Sequence, residues 1–86
     1  MPRLSAFYGL VVYMYWRDHG PPHFHVEYGE EEALIVIADG HVYAGSLPRR
    51  ALRLVREWRR LHEDELRRVW ERAARHEDPG SIDPLP

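Results

Sequence analysis

An Asp-Gly pair, Asp39-Gly40, lies between two apolar, β-rich runs at residues 33–38 and 41–45. Asp-Gly accepts the positive φ angles of a two-residue hairpin turn, so the pair predicts two antiparallel strands joined there. Such a turn sets Ala38 opposite His41 and Val36 opposite Tyr43. Upstream, residues 23–28 alternate, with Phe24, Val26 and Tyr28 apolar and His23, His25 and Glu27 polar. A regular four-residue loop over Gly29-Glu30-Glu31-Glu32 sets Tyr28 against Ala33, Val26 against Ile35 and His23 against Ala38. Directly paired residues share a sheet face. Phe24, Val26, Tyr28, Ile35, Ile37, Val42 and Ala44 thus form the expected core face. His23, His25, Glu27, His41 and Tyr43 form the other, which is expected to stay open to solvent. Residues 10–16 are apolar on both alternations and complete a sheet of about four strands (10–16, 23–28, 33–38 and 41–45). Phe7-Tyr8-Gly9 reads as a turn or bulge leading into the first of them.

The second half of the chain changes period. Ser46 and Pro48 mark a helix start, Ser as N-cap and Pro in the first turn. Ala51, Leu54, Val55, Trp58, Leu61, His62, Leu66, Val69, Trp70 and Ala73 then recur at three and four. One continuous helix would be about 42 Å long and would overhang a four-stranded sheet. Glu63-Asp64-Glu65 suits a second N-terminus, where negative charge is favoured. Two helices are therefore expected, at 48–61 and 64–75, covering one sheet face in an α+β fold. Residues 77–86 form a Pro-rich tail anchored by Ile82 and Leu85.

Eighty-six residues make a single domain, 1–86, with a modest core. The chain has no cysteine, which excludes disulfides and thiolate metal sites. No apolar run approaches the about 20 residues of a membrane span, and the first residues lack a signal peptide's apolar region. A cytoplasmic protein with no membrane partner is expected. No Gly-rich phosphate loop, Ser/His/Asp order or helical zinc motif is present.

Charge is unevenly placed. Residues 1–46 carry two Arg against six acids, whereas residues 47–86 carry ten Arg against eight. Arg49, Arg53, Arg56 and Arg60 follow helical spacing, which makes them candidate phosphate or nucleic-acid contacts. The plainer reading is a solvated face opposite the apolar stripe, and a sequence pI near 6.3 argues against a dedicated nucleic-acid binder.

The densest chemistry lies in Asp18-His19-Gly20-Pro21-Pro22-His23-Phe24-His25. Imidazole transfers protons at neutral pH, so His23 and His25 are candidate acid–base residues, with Asp18 orienting or completing the site. Two His at i, i+2 on a strand project from one face, so His19, His23 and His25 are also a candidate metal set for a divalent transition metal. The competing reading is structural: histidines that pin the loop by hydrogen bonds. Tyr15 and Trp16, beside this loop, are candidates for the floor of a pocket, while Trp58 and Trp70 read as core.

Phe7-Tyr8-Gly9, Met14-Tyr15, Asp18-His19-Gly20-Pro21-Pro22-His23-Phe24-His25 and Tyr28-Gly29 carry a resemblance. So do Gly45, Leu47-Pro48, Ala51-Leu52, Glu57-Trp58, His62, Glu65-Leu66 and Trp70. Together they resemble a family of small prokaryotic proteins known as domain of unknown function (DUF) 4160. The resemblance implies a gene-pair context, since genes of that family commonly sit beside those of another small family in toxin–antitoxin-like arrangements. It names no cofactor and no catalytic residue. The expectation is one component of such a module, acting on RNA or on a cognate small protein through the His-rich face. As an enzyme it would be a His-dependent, ribonuclease-like one. The alternative is a non-enzymatic interaction module whose histidines are structural or bind a metal. Candidate partners are the cognate small protein encoded nearby, RNA and a second copy of the chain.

Overall fold

A computed structural model of the chain describes residues 3–16 and 19–86. Five antiparallel strands run in chain order across one sheet: β1 (Arg3–Phe7), β2 (Leu10–Tyr13), β3 (His23–Tyr28), β4 (Glu31–Val36) and β5 (Val42–Gly45). Helices α1 (Arg49–Leu61) and α2 (Glu63–Ala74) follow. The architecture is the expected α+β, with one strand more than expected. The extra strand is β1, and Tyr8-Gly9 is the two-residue turn that joins it to β2, with Phe7 opposite Leu10. Tyr8 and Gly9 have φ of 49° and 82°, the double positive φ of a type I′ turn. The turn lies where Phe7-Tyr8-Gly9 is expected to turn or bulge; the strand ahead of it, Arg3–Phe7, is what the sequence did not show.

Both downstream hairpins differ in loop length from expectation. The β3–β4 loop is only Gly29-Glu30, because Tyr28 pairs with Glu31 and His23 with Val36. The register is displaced by two residues, and a displacement by an even number leaves every side chain on its expected face. At the β4–β5 turn, the Val36 N–H donates to the His41 carbonyl at 3.0 Å, and the Gly40 N–H donates back to the Val36 carbonyl at 2.8 Å. Residues 37–40 therefore form the loop, which is longer than Asp39-Gly40 alone. Burial of Ile37, fully inside the core, favours the longer loop. A bulge then shifts the register between Ile35↔Val42 and Leu34↔Ala44. It moves Ala44 off the expected core face onto the face of His25, where it is exposed. Beyond it the chain crosses close over β4. A side chain at Gly45 (φ 75°) would place its Cβ 2.2 Å from the Glu32 carbonyl oxygen, so only glycine fits.

Ser46 does not cap α1. The N-cap is Pro48, and no side chain caps the helix; the Ser46 N–H instead donates to the Glu32 carbonyl at 3.1 Å. The break between helices falls at His62, which ends α1 and starts α2 with φ −123° and ψ 25°. Glu63, Asp64 and Glu65 occupy the first turn of α2, as the macrodipole favours. No described helix is long and apolar enough to cross a membrane.

Ala51, Val55 and Trp58 of α1 and Leu66, Val69 and Ala73 of α2 cover the face of Val12, Phe24, Val26, Ala33 and Ile35. Trp58 is fully buried, its ring 5.6 Å from Phe7 and 5.7 Å from Phe24. Its indole N–H donates to the Asp83 carbonyl at 2.8 Å. The tail is thereby held against the body, with Ile82 and Leu85 buried and the Ile82 N–H donating to the Leu4 carbonyl at 2.8 Å. It covers β1, one outer strand of the sheet, and β5 is the other.

Trp58→Phe removes the indole donor that holds the tail at Asp83 and leaves a void beside Phe7. It should lower unfolding free energy by about 1–3 kcal/mol. Urea denaturation measures the loss, and limited proteolysis should show faster cleavage within residues 77–86. Cleavage at the wild-type rate would contradict the anchoring role of the indole.

Candidate functional site

The β2–β3–β4 register sets Tyr13, His25 and Leu34 side by side across three strands. His23 follows two residues before His25 on the same face, opposite Val36. The expected solvated face is covered at this end. His23 is 1% exposed, His25 8%, Tyr13 5% and Val36 6%. At the other end of the face Glu27 and Glu32, directly paired, remain in solvent.

Among the described residues, aromatic rings pack against both histidines. The His25 ring lies 4.3 Å edge-on from Tyr15 and stacks on Tyr13 at 5.6 Å. The His23 ring lies 5.3 Å from His25, 5.3 Å from Trp70 and 5.5 Å from Tyr43. The six rings make a contiguous row drawn from β2 and its exit, β3, β5 and α2. The Pro-Pro corner contributes through its backbone. His23 Nδ1 lies 2.8 Å from the Pro21 carbonyl oxygen, which can only accept, so Nδ1 carries a proton. The preceding loop passes so close to Tyr43 that a Cβ at Gly20 (φ 90°) would fall 2.7 Å from its hydroxyl oxygen.

Below this row is a polar pair. The Tyr13 hydroxyl donates to a Glu32 carboxylate oxygen, and His25 Nδ1 stands 3.9 Å from the same oxygen. Burial raises the Tyr13 phenol above its ordinary range, and hydrogen bonds to Glu32 and Glu27 raise it further. The phenol thus stays protonated and acts as a donor.

The sequence-derived candidates separate. His23 and His25 come together, but inside the row of rings. Asp18 lies outside the described residues. His19 is exposed. Among the described residues no group of three or more His, Asp or Glu side chains could hold a metal ion, and the set His19, His23 and His25 is not such a group. His41 does not join the cluster found here; its Nδ1 lies 2.7 Å from Asp39 Oδ1, and the His41 backbone N–H holds the Asp39 carboxyl below its usual range. Tyr15 does pack against the site, whereas Trp16 stacks on His76 at 5.9 Å. Arg49, Arg53, Arg56 and Arg60 line one depression along the outer side of α1. Arg56 is partly engaged, since its Nε donates to the Gly40 carbonyl at 2.9 Å. Arg59, outside that set, donates to the Ile37 carbonyl at 2.7 Å and pairs with Glu63 at 3.1 Å. Tyr13, Glu32 and Trp70 are the site residues the sequence reading missed. The first two require the true β2–β3–β4 register, and Trp70 requires the docking of α2.

The family model described as "Domain of unknown function (DUF4160)" matches residues 9–71. The chain belongs to the DUF4160 family. No curated protein and no solved structure matches the chain. The DUF4160 segment contains all six rings of the row, from Tyr13 to Trp70. Strand β1 and the tail, which hydrogen-bond to each other, lie outside it. In this DUF4160 chain the buried phenol has a pH consequence. A group whose folded pKa is raised gives stability that is whole below its unfolded value, near about 10 for tyrosine, and is lost as pH rises above it. Unfolding monitored through the alkaline range should therefore steepen above about pH 10. Tyr13→Phe should flatten that dependence, and Glu32→Gln should shift the phenol titration, read by its absorbance, toward lower pH.

Proposed function

We propose that this DUF4160 protein is a non-enzymatic interaction component of a toxin–antitoxin-like gene pair, and that its histidines are structural. The burial of His23 and His25 carries the reading. A general acid or base must reach the reacting proton at about 2.6–3.2 Å, directly or through one water. A polymer such as RNA cannot bring its 2′-OH and phosphate that close to an imidazole enclosed by Tyr13, Tyr15, Tyr43 and Trp70. The His23 Nδ1 proton is moreover committed to the Pro21 carbonyl.

The partner on this reading is the cognate small protein encoded nearby, and the edge of β5 is the surface for it. The tail covers β1, while β5 is an outer strand with Tyr43 47% exposed. An extended segment can add to such an edge by main-chain hydrogen bonds, with an aromatic side chain supplying specificity. Arg49, Arg53 and Arg60 stay in solvent on α1 and bias encounter toward an acidic partner.

His23→Phe and His25→Phe keep a ring in the row and remove its proton chemistry. Calorimetric titration with the adjacent gene's product should give affinities within about threefold of wild type, while Tyr43→Glu should abolish binding. If wild-type expression slows growth or cleaves RNA and a folded His25→Phe variant does neither, the histidines are catalytic and the reading fails.

A further inference from the structure

One side of α1 carries a half-apolar stripe between the core residues and the four-Arg face, sharing Leu54 and Glu57 with the depression those arginines line. Leu54 and Leu61 share a surface pocket there with Tyr8 and Leu85, rimmed by Arg50 and Glu57. Leu61 and Tyr8, 61% and 57% exposed, are the most exposed large apolar side chains described. The patch is held firm. Tyr8 sits in a tight turn, and its hydroxyl donates to the Pro86 backbone oxygen at 2.6 Å. A rigid, half-apolar surface without an intramolecular cover is the mark of an interface.

We propose that this patch joins two copies of the chain, with α1 packed antiparallel on α1 of its mate about a two-fold axis. The occupant follows from charge. Arg50, Leu54 and Glu57 are spaced i, i+4, i+7 on one stripe of the helix. An antiparallel pair centred midway between Arg50 and Glu57 sets each Arg50 against the mate's Glu57, twice over. The same register brings the two Leu54 side chains within one residue rise of each other, about 1.5 Å along the axis. An isologous contact requires this self-complementarity. The four-Arg face lacks it; at this register only Arg53 of that face comes near the axis, one residue rise from the mate's Arg53 and flanked by the two Arg50–Glu57 pairs. A specific interface needs about 1,000 Å² in total. From each copy that is roughly a tenth of the 5218 Å² protomer surface, so a weak, concentration-dependent dimer is expected. The inference uses α1 and the Tyr8 turn and not the edge of β5, so it stands or falls apart from the partner reading above.

Sedimentation equilibrium of the full chain, from micromolar to near-millimolar concentration, tests it. Wild type should show a monomer–dimer equilibrium. Arg50→Glu and Glu57→Arg should each raise the dissociation constant about tenfold, by replacing two attractive pairs with two repulsive ones. The double variant Arg50→Glu/Glu57→Arg should restore the wild-type value. Both residues are exposed, and thermal melts by circular dichroism confirm that the variants fold. A chain monomeric throughout overturns the proposal and leaves the patch to a different protein. A dimer indifferent to the single changes overturns it, as does a double variant without rescue.

Discussion

The fold converges on the Trp58 indole. Its ring packs against Phe7 of β1, Phe24 of β3 and His62 at the helix break, and its N–H reaches the tail at Asp83. A buried tryptophan removes some 150–250 Å² from water, a large share of what so small a core can offer. It needs a partner for its N–H, because an unpaired buried donor costs about 1–3 kcal/mol. The tail supplies that partner. One side chain thus links the sheet, both helices and the tail, and a change there is felt by elements far apart in sequence.

The second organising feature is that the sheet has two kinds of buried surface. One face is aliphatic and covered by the helices. The other is covered at one end by a row of tyrosine, histidine and tryptophan rings. Imidazole suits that position because it stacks like an aromatic ring yet satisfies a backbone acceptor, as His23 does with Pro21. The cost of burying its polar nitrogens is offset by the hydrogen bond and by ring contacts. The same arrangement explains the density of His and Pro in one short stretch. The Pro-Pro corner presents a carbonyl at the place where the strand's first side chain needs one.

The two outer strands are treated differently. Tail residue Ile82 hydrogen-bonds to β1, and the tail hides it, whereas β5 is kept short and bulged and ends at a glycine that admits no side chain. Short, bulged edges discourage indiscriminate pairing while leaving room for one matched segment. The basic outer face of α1 and the mixed-charge stripe beside it offer two further surfaces of different character. Arg56 and Arg59 show why counting arginines overstates the basic face: both spend hydrogen bonds on the carbonyls of the β4–β5 loop.

The sequence by itself determined the α+β class, both helices and their break near His62, the core positions Ala51, Val55 and Trp58 of α1 and the division of β3 into two faces, whereas Leu61, expected on the same stripe, is exposed. Those follow from local periodicity and charge, which need no knowledge of distant contacts. Shifting the β3–β4 register by two left the faces intact, since strand side chains alternate with a period of two. Loop lengths, the bulge beside Tyr43 and the strand at Arg3–Phe7 were not legible, because each depends on what the strand pairs with. The character of the histidine stretch was decided only in three dimensions. Residue spacing placed His23 and His25 on one face, yet Trp70, contributed by a helix more than forty residues away, is one of the rings that close over His23. Whether an imidazole meets solvent or a ring depends on how α2 docks, and no pattern local to the motif encodes that.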